Sequence, residues 1–182
     1  MARSSLLAAS VARYPAPMKP LLNLDEVTLT RSAHGGRFES LDGPIGSVIG
    51  ARQLGYSLTV VPPGKRSCPF HNHHVNEEMA FIVSGRGTVR IGPTEYPVRG
   101  GDVIANPAGG AELAHQIINT SDEELRYLSV STMIPTDVVE YPDSDRIFVT
   151  VGTAPGDPDK SGQTFRHFGH KGAATDYWDG ED

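Results

Sequence analysis

An all-β protein of short antiparallel strands, closed into a barrel or a two-sheet sandwich, is what this sequence predicts, and three observations predict it. Glycine and proline are frequent, 20 and 14 among 182 residues, and they interrupt the chain about every ten residues. The runs between them are short and rich in Val, Ile, Tyr and Thr, which leaves little room for helix. The interruptions carry explicit turn chemistry in Ser84-Gly-Arg-Gly87, Gly92-Pro93, Arg99-Gly-Gly-Asp102 and Asn119-Thr-Ser-Asp-Glu123. Consecutive short strands joined this way are what closed antiparallel architectures require.

Taken in order, the runs that read as strands are Gly46–Ile49, Leu54–Val61, Glu78–Val83, Gly87–Ile91, Glu95–Val98, Asp102–Ala105, His115–Ile118, Leu125–Ser131 and Arg146–Val151. The length suits one core with arms, and no internal repeat is present. The expected organisation is an N-terminal arm with leading strands over 1–44, the barrel core over 45–132, and a C-terminal strand and arm over 133–182. The start, residues 1–13, is basic and Ser-rich; it resembles a targeting segment faintly, and a mobile arm is the preferred reading. From Gly152 onward a loop-like stretch leads to an acidic aromatic tail. Tyr177 and Trp178 in that tail are expected to pack on the barrel or on a second subunit.

Charge narrows the partners. With 16 Lys+Arg against 22 Asp+Glu the net charge is −6, and no basic block is available to neutralise phosphates along a duplex. Nucleic acid is therefore not expected as a partner, nor is a membrane, since no apolar run approaches the roughly 18 residues a span requires. The single cysteine, Cys68, cannot form an internal disulfide, which fits a reducing cytoplasm.

The chemistry is concentrated in Pro69-Phe-His-Asn-His-His-Val-Asn-Glu-Glu-Met79. Alternation along an extended strand puts His71 and His73 on one side, about 6–7 Å apart along the backbone, close enough to reach one ion. His74 points the other way. On the next strand Glu78, Ala80 and Ile82 share a face opposite Met79, Phe81 and Val83, so Glu77 has the wrong parity and reads as solvated or bonded to a turn. A third histidine, His115, opens a later strand after a turn-rich loop. Three imidazoles and a carboxylate suit a divalent transition metal, Fe, Mn, Ni, Co or Zn, and an octahedral ion would keep two positions for water or substrate.

These residues resemble a known family. The run His71-x-His73-x4-Glu78-x6-Gly85 is similar to the first cupin motif, and Gly101-x5-Pro107-x-Gly109 followed by His115-x3-Asn119 to the second. The resemblance implies a cupin double-stranded β-helix, a jelly-roll barrel, with His71, His73, Glu78 and His115 as metal ligands. It covers roughly 45–132. Gly64 lies one residue further from His71 than the usual pattern, and five residues separate Gly109 from His115 where the family typically has two. The chain as a whole is similar to a group of single-domain (type-2) bacterial cupins sometimes provisionally labelled sugar-phosphate isomerases.

Other polar residues read less distinctively. Glu112, in the lengthened loop before His115, is the candidate general base at the barrel mouth, with a solvated loop glutamate as the alternative. Cys68 reads as structural, His34 as a loop residue, and His167 and His170, with Arg166, as parts of an arm that either packs or folds over the mouth. Tyr56, Tyr127, Arg90 and Arg126 are candidates for polar contacts inside the barrel. The function expected is a metal-dependent isomerase, epimerase or lyase acting on a small oxygenated substrate such as a sugar or a hydroxy or keto acid. An Fe(II) dioxygenase and a non-enzymatic small-molecule binder are the alternatives. A homodimer is expected from the outward Met79, Phe81 and Val83 and the aromatic tail; light scattering should give twice the 19.5 kDa chain mass, and a monomer mass would contradict it.

Overall fold

The computed structural model describes residues 19–157, 159–173 and 175–181; the basic start lies outside the described residues. A short 3-10 turn at Leu24–Glu26 leads into the hairpin of β1 (Thr30–His34) and β2 (Phe38–Pro44). A one-turn helix α1 (Gly46–Ile49) precedes β3 (Leu54–Val61), and β4 (Asn72–His73) follows a long loop. Then come β5 (Glu78–Ser84), β6 (Arg86–Ile91), β7 (Thr94–Arg99), β8 (Val103–Asn106), β9 (His115–Ile118) and β10 (Leu125–Thr132). The chain ends with β11 (Thr136–Tyr141), β12 (Arg146–Val151) and β13 (Phe165–His170).

All the paired strands are antiparallel. One sheet of six runs β1-β2-β3-β10-β5-β8, a second of three runs β7-β6-β9, and a third of four runs β13-β12-β11-β4. A bridge between His71 and His115 joins the latter two. The core cluster fixes how the sheets face: Val61, Ala80, Ile82, Ile104, Leu125 and Tyr127 come from the six-stranded sheet, and Val89, Val98 and Ile117 from the three-stranded one. This is the closed, all-β jelly roll that the sequence predicts. A second cluster, Val27, Ile45, Leu58 and Val60, lines the outer face of β3, so that strand is covered on both faces. That explains why Leu58, Thr59, Val60 and Val61 are all buried instead of alternating.

Alternation sets β5 as expected, with Ala80 and Ile82 buried and Phe81 36% exposed. Its turn into β6 needs Gly85, whose φ is +83° and whose Cβ would collide with the Glu124 carbonyl. Of the four side chains proposed for the barrel interior, Tyr127 is in the core, its hydroxyl 2.6 Å from Ser67 Oγ. Tyr56 packs against the outer cluster, and Arg90 stacks on Phe70 and pairs with Asp143 at 2.8 Å.

Three expectations are corrected. Gly46–Ile49 is a helical turn, because Gly50 takes a left-handed conformation (φ +89°) and closes it, with the Ala51 N–H donating to Gly46 O. The C-terminal segment is not merely an arm: β13 pairs with β12 from Arg146↔His170 to Val151↔Phe165 and extends the barrel wall. Of the two placements expected for Tyr177 and Trp178, the barrel is not the one taken: they are 83% and 69% exposed and contact each other edge to face, which leaves a second subunit.

Candidate metal centre

Backbone pairing brings the four predicted residues together. His71 and His115 exchange both main-chain hydrogen bonds, N···O 3.2 and 2.7 Å, and residues opposed in such an antiparallel pair project to the same side. Their ring centroids are 4.7 Å apart, and that of His73, two residues on from His71, is 5.2 Å from His71's. Asn72 between them points away and donates to Gly109 O at 2.8 Å. Glu78 opens β5 on the opposing sheet and reaches across. Its Oε2 is 3.1 Å from His115 Nε2 and 4.0 Å from His71 Nε2, and its Oε1 is 3.6 Å from His73 Nε2. The ligand-capable atoms of His71, His73 and Glu78 all lie within 4.8 Å of one another.

Each ring commits its Nδ1. His71 donates to Pro69 O at 2.9 Å, His73 to Asp137 Oδ2 at 2.8 Å, and His115 points Nδ1 at Leu113 O, 3.4 Å away. Carbonyl and carboxylate oxygens only accept, so the ring proton belongs on Nδ1 and the Nε2 lone pairs turn toward Glu78. Three Nε2 atoms and a carboxylate then face one another, His115 Nε2 at hydrogen-bond distance, 3.1 Å, from Glu78 Oε2. Such a set requires a cation, either protons or a divalent metal, and a metal bound by nitrogen and oxygen fits it.

The titration behaviour follows. Burial works to raise the Glu78 carboxyl, but the His115 hydrogen bond and the charges of His73 and His71 outweigh it and hold it at about 2. Burial pulls His71 down, yet Cys68, whose Sγ is 3.9 Å from Nδ1, and Glu78 outweigh this and raise it to about 9. His115 is depressed, chiefly by burial.

Asp137 escapes sequence reasoning. It is fully buried at the start of β11 and accepts from His73 Nδ1, from the Val75 N–H at 3.0 Å, and from Asn76 Nδ2 at 2.8 Å. Burial would raise its carboxyl; the His73 and Asn76 bonds override that and lower it. The only sequence signal is an acid placed beside Val138 and Val139 in a short apolar run.

His71, His73 and Glu78 form the floor of a cavity of about 470 Å³. Tyr141, Phe148 and Phe168 give it an aromatic wall, and Asp157, Lys160, Gln163 and Arg166 line it from the C-terminal segment. Tyr141 stacks 6.2 Å from His71 and 6.5 Å from Phe168, whose ring lies 4.3 Å from that of Phe148. Glu78 also borders a second hollow of about 250 Å³ lined by Ser57, Ser129 and Ser131, and residues 155–157 line both.

Glu112 is placed differently from its expected position by the ion. It is exposed in a 3-10 turn, its carboxylate accepts from the Gly110 N–H at 3.2 Å, and it does not line the cavity. Gly110 leaves that N–H free, and the short turn folds the side chain back on it. His74 faces out and pairs with Glu140 at 3.2 Å, and Glu77 is exposed. His167 and His170 are on β13 but outside the cavity wall, whereas their neighbour Arg166 is in it.

Residues 57–131 match the family model described as a cupin domain. A crystal structure from Acidithiobacillus ferrooxidans, provisionally named a sugar phosphate isomerase, is 26% identical and superposes with a TM-score of 0.72 over 86% of this chain and 96% of that one. Another from Silicibacter pomeroyi, named a sugar phosphate isomerase from a cupin superfamily, is 28% identical, with a TM-score of 0.68 over 88% of this chain and 98% of its own. An uncharacterised protein of Streptomyces coelicolor is 29% identical over 107 residues, 59% of this chain and 90% of that protein.

Proposed function

Because residues 57–131 of this chain are a cupin domain, we propose that it is a metal-dependent isomerase, epimerase or lyase acting on a small oxygenated substrate, with a sugar or sugar phosphate as the leading candidate. The observation that carries this reading is the convergence of three Nε2 atoms on Glu78 with every Nδ1 pinned from behind. His71, His73, Glu78 and His115 would hold the ion, one of Fe, Mn, Ni, Co or Zn. When bound, it supplies Lewis acidity to a carbonyl or hydroxyl oxygen.

The chain's own groups do the rest. Tyr141 lines the cavity beside His71, and burial raises its phenol, so it stays protonated and offers a hydrogen bond to a substrate oxygen. Among the described residues Asp157 is the carboxylate other than Glu78 in the cavity wall, and so the group placed to move a proton there. The aromatic wall of Tyr141, Phe148 and Phe168 offers faces to the carbon-bound hydrogens of a sugar-like chain. The names of the two similar crystal structures support the substrate class.

Turnover by metal-loaded protein, followed by NMR under anaerobic conditions with a panel of aldose and ketose phosphates and hydroxy acids, tests the proposal. Interconversion that disappears on chelation is expected. Turnover only in the presence of oxygen would replace the proposal with a dioxygenase, and binding without any turnover would replace it with a carrier or sensor.

A further inference from the structure

We propose that Arg166, assisted by Lys160, binds an anionic oxygen group of the substrate, a phosphate or a carboxylate, at the end of the cavity away from the histidines. The inference rests on the preceding reading only in taking the cavity above His71, His73 and Glu78 as the substrate site.

Arg166 and Lys160 line the same cavity as the candidate ligands, although more than 80 residues separate them in sequence from His71 and His73. Arg31, Arg86 and Arg90 each pair with a carboxylate, at 2.9, 3.1 and 2.8 Å. Among the described residues Arg166 has no carboxylate within ion-pair distance. Its guanidinium carbon lies 5.2 Å from the Phe168 ring centroid and 5.6 Å from that of Phe148. Contact with ring faces steadies a guanidinium electrostatically while consuming none of its five N–H donors, so the fork remains available for an oxyanion.

The backbone holds that placement. Arg166 pairs with Thr150 in the β12–β13 ladder, and Gln163 ties the preceding turn to Thr150 Oγ1 and Thr153 Oγ1 at 3.3 and 3.2 Å. Asp157, from the same C-terminal segment, accepts from the Asp159 N–H at 2.9 Å. The segment brings two cations and one carboxylate to the cavity, a net positive charge that favours an anion. The line of rings His71, Tyr141 and Phe168 runs from the histidine cluster toward Arg166. A substrate spanning it would present carbonyl or hydroxyl oxygens at the floor, carbon-bound hydrogens to the rings and its anionic group at the rim.

The test is calorimetric titration of inorganic phosphate, and in parallel of acetate, into wild-type protein as purified and after removal of metal by a chelator. Arg166→Gln and Lys160→Gln are titrated the same way, with thermal unfolding and metal content measured on each. Phosphate or acetate should bind the stripped wild type, and affinity should fall roughly tenfold or more in Arg166→Gln, consistent with loss of a charge-assisted hydrogen bond. Exposed Lys160→Gln should show a smaller loss and guards against a folding failure in the first variant. Tighter phosphate than acetate identifies a phosphorylated substrate, and the reverse a carboxylate. Affinity unchanged in both variants, binding abolished by chelation yet intact in Arg166→Gln, or no binding of either anion would each overturn the inference. Arg166-dependent binding to stripped protein sustains it even if no isomerisation is found.

Discussion

Asp137→Ala is expected to lose about 3–5 kcal/mol of unfolding free energy, measured by chemical denaturation of the metal-free protein. The side chain is fully buried, and its removal takes the acceptor from the His73 Nδ1–H and the Val75 N–H and leaves the Asn76 amide only Ile134 O. Asp137→Asn keeps the volume but aims an NH2 at groups that are themselves donors, and it no longer enforces the His73 tautomer. It should remain folded and bind metal roughly 10–100-fold more weakly, the usual cost of losing a partner behind a ligating histidine. An Asp137→Asn protein with wild-type metal affinity would show that His73 is not oriented for an ion.

Metal affinity should also rise with pH. In the metal-free site His71 is raised to about 9, so at neutral pH an incoming ion must displace its proton. Glu78, held at about 2, is already ionised, and His115, depressed by burial, is already neutral. One proton is therefore released, and the apparent association constant should increase roughly tenfold per pH unit from neutrality up to about pH 9, then level off. Stability moves the opposite way in metal-free protein. A raised folded-state value contributes stabilisation that is complete below the ordinary value of 6.5 and lost as pH climbs through about 9. The gain in melting temperature on adding metal should accordingly grow across that window. Titration calorimetry in buffers of differing ionisation enthalpy would count the proton directly, and a pH-independent affinity with no proton released would refute the assignment.

What the sequence disclosed was what short-range pattern controls. Glu78–Ser84 alternates cleanly because one face meets the barrel core, and Gly85 marks its turn because the backbone there is left-handed and abuts Glu124. His71, His73 and Glu78 fall within eight residues, so strand parity puts the two histidines on one side and gives Glu78 the inward place on the next strand. His115 came from motif resemblance, and the pairing that places it opposite His71 was not visible.

The misses share a non-local cause. All five residues of β1 are exposed, so no alternation reveals that hairpin strand. In β13 only Gly169 is even half-buried, and the strand exists because β12 offers an edge. The four residues of α1 are too few for a helical period to differ from a strand's. Asp137, Tyr141 and Arg166 reach the site through the β4–β11–β12–β13 register, which no local spacing encodes. Glu112 is near His115 in sequence, but its own turn captures the carboxylate.

The most direct test of the metal centre is elemental analysis of protein reconstituted with each candidate divalent ion and then freed of loosely bound metal, comparing wild type with His73→Ala. A single transition-metal ion per wild-type chain, and little or none in a His73→Ala protein that still melts cooperatively, is the result the geometry predicts. Wild type that retains no ion, or His73→Ala that retains as much as wild type, would contradict it.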